Sequence, residues 1–145
     1  MNKSITPNQI KKNNRNLIYD YIYKNRNVSQ QDIAYNLRLS RPTVAANLTA
    51  LENDGLIQKN GRINTEFVGR KAIAYSIIPD FRISIGVEIS EKEVNMIAIN
   101  LYGEQIDRLS YGIIYENKDS YFKMVCAKIL FFKDSLGFQD EQILG

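Results

Sequence analysis

The sequence predicts an α+β fold, with helices in its first part and mainly strands in its second. Apolar residues recur at helical spacing up to about residue 56, and three helix-capping signals accompany them. From residue 83 onward apolar and polar residues alternate, which is typical of strands. Pro79-Asp80 interrupts the pattern between these two parts. We therefore expect two domains, at residues 1–79 and 80–145.

The first helix is predicted to begin at Thr6-Pro7-Asn8-Gln9 and to end near Asn25. Thr6 and Gln9 can form a capping box, and Pro7 sits where its missing N–H costs nothing. An apolar stripe at helical spacing follows: Ile10, Leu17, Ile18, Tyr21 and Ile22. Three basic residues lie near the helix start: Lys11, Lys12 and Arg15. They form either a solvated face or a phosphate-contacting one, and the sequence leaves both interpretations open.

Two further helices are predicted within Val28–Leu56. Ser29 and Asp32 form a second capping box, which opens a helix of about two turns. Ser40 then caps a helix that runs from about Ser40 to Asp54. Two short helices joined by a tight turn indicate a helix-turn-helix, whose second helix lies in the major groove of DNA.

The outer face of that second helix carries the candidate DNA contacts. Val44, Leu48 and Leu51 fall at i, i+4 and i+7, so we expect them to face the core. The candidates left for the outer face are Ser40, Arg41, Pro42, Thr43, Ala46 and Asn47. Arginine can pair with guanine and asparagine with adenine, while threonine and alanine can contact a thymine methyl. The alternative is a set of ordinary exposed helix residues.

A hairpin is predicted after the helices, with strands at Leu56–Lys59 and Ala72–Ile77. A helix-turn-helix followed by a hairpin is a winged helix. Its wing would present Arg62 or the step Gly69-Arg70-Lys71 to the minor groove, where the negative potential attracts arginine. A solvated basic loop is the alternative.

The second part is predicted to form three strands and one helix. The strands are Ile83–Ile89, Val94–Leu101, which is apolar on both faces, and Ile106–Tyr115. Asp119 or Ser120 caps a helix of about 15 residues that includes Phe122, Val125, Cys126, Ile129 and Leu130. Cys126 is interpreted as a core residue. Gln142–Gly145 looks like the beginning of a further strand.

Composition and charge limit the classes of function. Residues 1–80 hold 12 Lys and Arg against 6 Asp and Glu, whereas residues 81–145 hold 7 against 10, so the first part is the candidate for a polyanionic partner. The chain has no histidine and one cysteine, which excludes Ser-His-Asp and Cys-His catalysis and an internal disulfide. We expect no catalytic residue, metal or cofactor. No apolar run suggests a membrane span or signal peptide, so a cytoplasmic location is expected.

Three stretches of the chain together resemble the ROK family of bacterial sugar-responsive repressors and sugar kinases. Leu39–Val44 with Leu51–Leu56 is similar to the family's winged-helix segment. Gly69-Arg70-Lys71-Ala72 resembles the wing motif of its repressor branch, in which proline stands where this chain has Ala72. Ile85–Ile89 followed by Asn100–Glu104 is similar to the opening hairpin of its actin-like (ribonuclease H-like) kinase fold.

The resemblance implies a repressor of sugar-utilisation genes that binds a pseudo-palindromic operator as a homodimer. It also implies a sugar effector, whose site would lie only in a longer chain. The kinases' phosphate motif, Asp-x-Gly-Gly-Thr, is replaced by Glu88–Lys92, which lacks its glycines and places Glu91 where it would repel phosphate. We therefore expect no enzyme activity.

The second part then corresponds to an incomplete actin-like domain of three strands and one helix. We expect a fragment of a longer repressor or a truncated member, which self-associates through residues beyond Pro79 because an apolar face is left uncovered. Two other functions stay open: a winged-helix module that binds protein, and a degenerate sugar kinase.

Overall fold

The computed structural model describes residues 6–63 and 71–145, and the chain divides into two compact units, Met1–Ile78 and Pro79–Gly145. The described residues of the first unit form α1 (Pro7–Asn25), β1 (Val28–Ser29), α2 (Gln30–Leu37), α3 (Arg41–Asn53), β2 (Ile57–Ile63) and β3 (Ala72–Ile77). The second unit contains β4 (Ile83–Ile89), β5 (Val94–Asn100), β6 (Gln105–Tyr111) and α4 (Asp119–Ser135), with short 3-10 turns at Pro79–Phe81 and Asp140–Gln142. The α+β class is confirmed.

Local capping fixes the starts of the three helices in the first unit, as the sequence predicts. The Gln9 N–H donates to Thr6 Oγ1 at 3.3 Å, while Gln9 Oε1 accepts from the Thr6 N–H at 2.9 Å. Ser29 and Asp32 make the same reciprocal pair, at 3.1 and 3.0 Å. At α3 the Thr43 N–H donates to Ser40 Oγ at 3.3 Å. Each cap satisfies a backbone donor that has no partner within its helix.

The three helices of the first unit pack with a small antiparallel sheet around one core. The sheet has the order β1-β3-β2, with Val28 opposite Tyr75 and Ile57 opposite Ile77. β1 is a short strand that the sequence pattern did not predict. Among the described residues of this unit, nine apolar side chains are at most 2% exposed: Ile18, Ile22, Ile33, Val44, Leu48, Leu51, Ile57, Ala74 and Ile77. The predicted stripe of α1 is wrong at Ile10 and Leu17, which are 49% and 51% exposed.

The second unit is a three-stranded antiparallel sheet of order β4-β5-β6 with α4 packed on one face. Its core combines three residues of β5 with three of α4: Val94, Met96, Ala98, Tyr121, Val125 and Phe132. The predicted fourth strand is present as a single parallel bridge between Ile83 and Ile143, beside which the Leu144 N–H donates to the Ile83 carbonyl at 2.9 Å.

Several predicted details of the second unit are wrong. The N-cap of α4 is Lys118, which makes no side-chain capping bond, so neither Asp119 nor Ser120 caps the helix. Cys126 is exposed rather than in the core. The other departures are in the strands: β5 buries one face only, with Ile97 exposed on the other, and β6 ends at Tyr111 rather than Tyr115.

Candidate nucleic-acid interface

The orientation of α3 is set by its apolar residues. Val44, Leu48 and Leu51 are buried as predicted, since they are at most 2% exposed. On the opposite side, at i, i+4, i+7 and i+11, lies a row of exposed residues, which we call the outer face: Pro42, Ala46, Thr49 and Asn53. The exposed Arg41 lies beside it at the helix start. The outer face therefore presents small and polar groups along about three turns of helix.

Two predicted contact residues are engaged within the protein. The Ser40 and Thr43 hydroxyls lie 2.7 Å apart, and Thr43 is half-buried. Gln30 of α2 donates through Nε2 to the Arg41 carbonyl at 3.2 Å. The first turn of α3 is thereby attached to the start of α2, while the Arg41 side chain stays exposed to solvent.

Asn47 does not lie on the outer face as predicted. It is only 7% exposed, and its side-chain Nδ2 donates to the Thr43 carbonyl at 2.8 Å. The prediction failed because Asn47 stands three residues after Val44 and four before Leu51, so helical spacing places it on the buried side of α3. A base-reading role for Asn47 would require this bond to break.

The sequence interpretation missed Thr49 and Asn53, which lie on the outer face. The signal was available, because both continue the helical spacing of Pro42 and Ala46. The turn before α3 holds another unpredicted feature: Arg38 adopts φ +53°, a left-handed conformation that only a few per cent of non-glycine residues adopt. It ends α2 and allows the chain to reverse toward Ser40.

The hairpin carries two of the predicted wing residues on described positions. Arg62 and Lys71 are both exposed. Arg62 lies within β2, opposite Ile73 of β3, next to an irregularity at which Gly61 adopts φ +76°. Arg62 is therefore in a strand of the hairpin rather than at its tip. Gly69 and Arg70 lie outside the described residues.

An ion pair joins β2 of the hairpin to α3. Lys59 Nζ of β2 lies 2.9 Å from Glu52 Oε1. The hydrogen bond to Glu52 raises the pKa of Lys59 above its ordinary value, so Lys59 is protonated at neutral pH. The contact joins helix and hairpin on the surface of the first unit.

Two concavities flank α3. One, of about 310 Å³, lies between the starts of α2 and α3 and strand β3, and its lining includes Gln30, Gln31, Arg41 and Ile73. The other, of about 410 Å³, lies between α1 and α3 and is lined by Asn8, Lys11, Lys12, Arg15, Ala46, Asn47 and Ala50. Both open beside the outer face, one on the side of Arg41 and one on the side of Ala46.

The described part of the chain gives no indication of other kinds of site. Across residues 6–63 and 71–145, no group of three or more histidine, cysteine or acidic side chains is placed to hold a metal ion. None of the described helices has the length and apolar character needed to cross a membrane.

Known proteins match this chain in two ways: a family model matches part of its sequence, and a solved structure matches its fold. Residues 12–58 match the family model described as winged helix-turn-helix DNA-binding. The solved structure of a ROK family transcriptional regulator, a homologue of the Escherichia coli MLC protein, matches 88% of this chain with a TM-score of 0.58 and 16% sequence identity. No curated protein matches the chain in sequence.

The chain spans 32% of the length of that regulator. The resemblance noted in the sequence is thus confirmed at the level of the fold, and the described elements of the first unit are a winged helix-turn-helix. The family model thus associates residues 12–58 with DNA binding, and the structural match supports the fold.

Proposed function

We propose that this protein is a sequence-specific transcriptional regulator that reads the major groove of DNA with α3. The observation that carries the proposal is the outer face, which is exposed along the whole helix and free of bulky or acidic side chains. Arg41 stands at its N-terminal end, where helix-turn-helix proteins place base contacts. A guanidinium can bind guanine O6 and N7 bidentately, and Ala46 and Thr49 can contact thymine methyl groups.

The hairpin is proposed to contact DNA outside the major groove. Arg62 and Lys71 are exposed basic residues of the hairpin that follows α3. A wing in this position contacts the backbone or the minor groove, where positive side chains are attracted. Gly69 and Arg70 belong to the same proposed wing on the strength of the sequence pattern alone.

The finer parts of the proposal rest on the resemblance of the sequence to the ROK family. They are repression of sugar-utilisation genes, a homodimer on a pseudo-palindromic operator, action in the cytoplasm and control by a sugar bound in a longer chain. We also propose that the second unit is not a kinase. At the end of β4, Ser90 Oγ accepts from the Glu93 N–H at 3.1 Å, so a side chain closes the turn at which the kinases would bind phosphate.

Binding to DNA by the whole chain tests the proposal. Fluorescence anisotropy with a duplex enriched from a random pool should show affinity that falls steeply with salt, because phosphate contacts release counterions. Arg41→Ala should weaken binding to the enriched duplex by about 1–3 kcal/mol, roughly 5- to 150-fold, and relax the preference for one base pair.

Arg108→Ala is the matched control, because it removes an equally exposed arginine from β6 of the second unit. It should bind like the parent. Parental affinity and base preference in Arg41→Ala would show that the assignment of the contact face is wrong. Binding to a protein partner, with no salt-dependent binding to duplex DNA, would favour a protein-interaction module instead.

A further inference from the structure

The groove between α1 and α3 has a basic lining. We call it the α1–α3 groove, and its lining residues are Asn8, Lys11, Lys12, Arg15, Ala46, Asn47 and Ala50. Three of these side chains carry a positive charge and none is acidic. A concave surface with one sign of charge attracts counter-ions of the other sign. From the sequence alone, these cations form either a solvated face or a phosphate-contacting one. Their position beside α3 favours contact with phosphate.

The three cations are not equivalent. The guanidinium of Arg15 is paired with the carboxylate of Asp54, which follows the last turn of α3. Lys11 and Lys12 are exposed, and neither has an acidic partner within residues 6–63 and 71–145. Arg15 is therefore used to hold α1 against α3, while two ammonium groups on the preceding turn are available to a ligand.

The α3 side of the groove admits a close approach. Ala46 and Ala50 have no side-chain atoms beyond Cβ, and the amide of Asn47 is turned toward the Thr43 carbonyl. Ala46 belongs to both surfaces, because it lines the groove and lies on the outer face. A ligand that occupies the groove is consequently a direct neighbour of whatever contacts the outer face.

We propose that the α1–α3 groove binds backbone phosphate of the DNA strand that borders the major groove, with Lys11 and Lys12 as the contacting groups. The inference rests on the proposed function, since it requires α3 to lie in the major groove. The strand beside Ala46 then passes the groove, and its phosphates meet the two ammonium groups. Such contacts carry no sequence information, but they fix the register of α3 on the duplex. The ion pair between Arg15 and Asp54 joins α1 to the end of α3 one turn after the lysines.

The test is the salt dependence of binding to a random-sequence duplex, because phosphate contacts do not depend on sequence. Lys11→Gln/Lys12→Gln should make the slope of log affinity against log salt shallower by about 0.9 for each phosphate that is no longer neutralised, so by about 1–2 in total. The matched control is Lys24→Gln/Lys123→Gln. It also removes two charges, one from the far end of α1, where Lys24 pairs with Asp20 at 2.7 Å, and one from α4.

The experiment distinguishes a failure of the proposed groove contact from a failure of the proposed function. If the parent binds with a steep slope and both double variants keep that slope, the groove does not contact phosphate, although the proposed function stands. An equal reduction of the slope in both double variants would also overturn the inference, because it would show an effect of net charge alone. If the parent itself shows no salt-dependent binding to any duplex, the proposed function fails and this inference with it. Thermal unfolding of each variant confirms that the exposed substitutions leave the fold intact.

Discussion

The two units of the chain bury their apolar side chains in different ways. In the first unit, α1, α2 and α3 and the small sheet surround one core, in which Ile18, Ile22 and Ile33 have no exposed surface. In the second, α4 covers one face of the sheet, and apolar residues remain exposed on the other face and around the helix. Even on the helix-covered face, Val87 and Ile89 of β4, which pair with the buried Met96 and Val94, are 39% and 45% exposed.

The difference is sharpest on α4, which is apolar around most of its circumference. Phe132 is 1% exposed and its neighbour Phe131 is 62% exposed. A helix that is apolar all round is usually buried all round. The second unit therefore keeps apolar surface of the kind that promotes association, and the predicted self-association beyond Pro79 stays a prediction. The surface of the first unit beside α3 is instead small, polar and basic, which suits a polyanion.

Replacing the two adjacent phenylalanines of α4 one at a time should give the largest difference in the free energy of unfolding. Phe132→Ala should lower the free energy of unfolding by about 3–5 kcal/mol, because it leaves a cavity between α4 and the sheet. Phe131→Ala, the matched control on the same helix, should change it by less than about 0.5 kcal/mol. Urea denaturation followed by circular dichroism measures both. Similar losses in the two variants would mean that Phe131 is also buried in solution.

Replacing one asparagine in each unit by alanine should give an intermediate difference in the free energy of unfolding. Asn47→Ala removes a buried hydrogen bond to Thr43 and should lower the free energy of unfolding by about 0.5–1.5 kcal/mol. Asn95 on β5 is half-buried, but its hydrogen bonds with Glu88, Glu93 and Ser110 are exposed and water can replace those partners, so Asn95→Ala should lower the free energy of unfolding by less. Asn47→Ala should also keep the base preference of the parent. A changed preference with unchanged stability would restore Asn47 as a base contact.

The smallest effect concerns one lysine ion pair in each unit. Hydrogen bonds to Glu52 and Asp140 raise the pKa values of Lys59 and Lys133 above the ordinary 10.5. A lysine with a raised folded-state pKa stabilises the fold below pH 10.5, and the contribution is lost as pH rises through the higher value. The parent should therefore lose more unfolding free energy between about pH 10 and 12 than Glu52→Gln/Asp140→Asn does. Identical pH profiles by urea denaturation would show that the pairs contribute nothing in solution.

The features predicted correctly from sequence are those that depend on neighbours along the chain. The caps at Thr6, Ser29 and Ser40 are local hydrogen bonds between residues three apart, so spacing alone predicts them. The buried side of α3 followed from the regular spacing of Val44, Leu48 and Leu51. Gly55, which follows the C-cap of α3, has φ +70°, the left-handed backbone that glycine favours at helix ends.

The errors occur where packing between elements decides the outcome. Asn47 is an exception, because its position three residues after Val44 already places it on the buried side of α3. On α4 almost every side is apolar, so periodicity does not distinguish the buried Phe132 from the exposed Cys126 and Leu130. β1 has two residues, too few to show a period.

The central claim is that the first unit binds DNA through α3 and its neighbours while the second unit does not. Amide chemical-shift mapping of the whole chain with an enriched duplex tests it most directly. We predict that the largest shifts fall on Arg41–Asn53, with further shifts at Lys11, Lys12 and Arg62, and that β4, β5 and β6 are unaffected. Shifts confined to residues 79–145, or none at DNA concentrations that saturate the anisotropy signal, would contradict the claim.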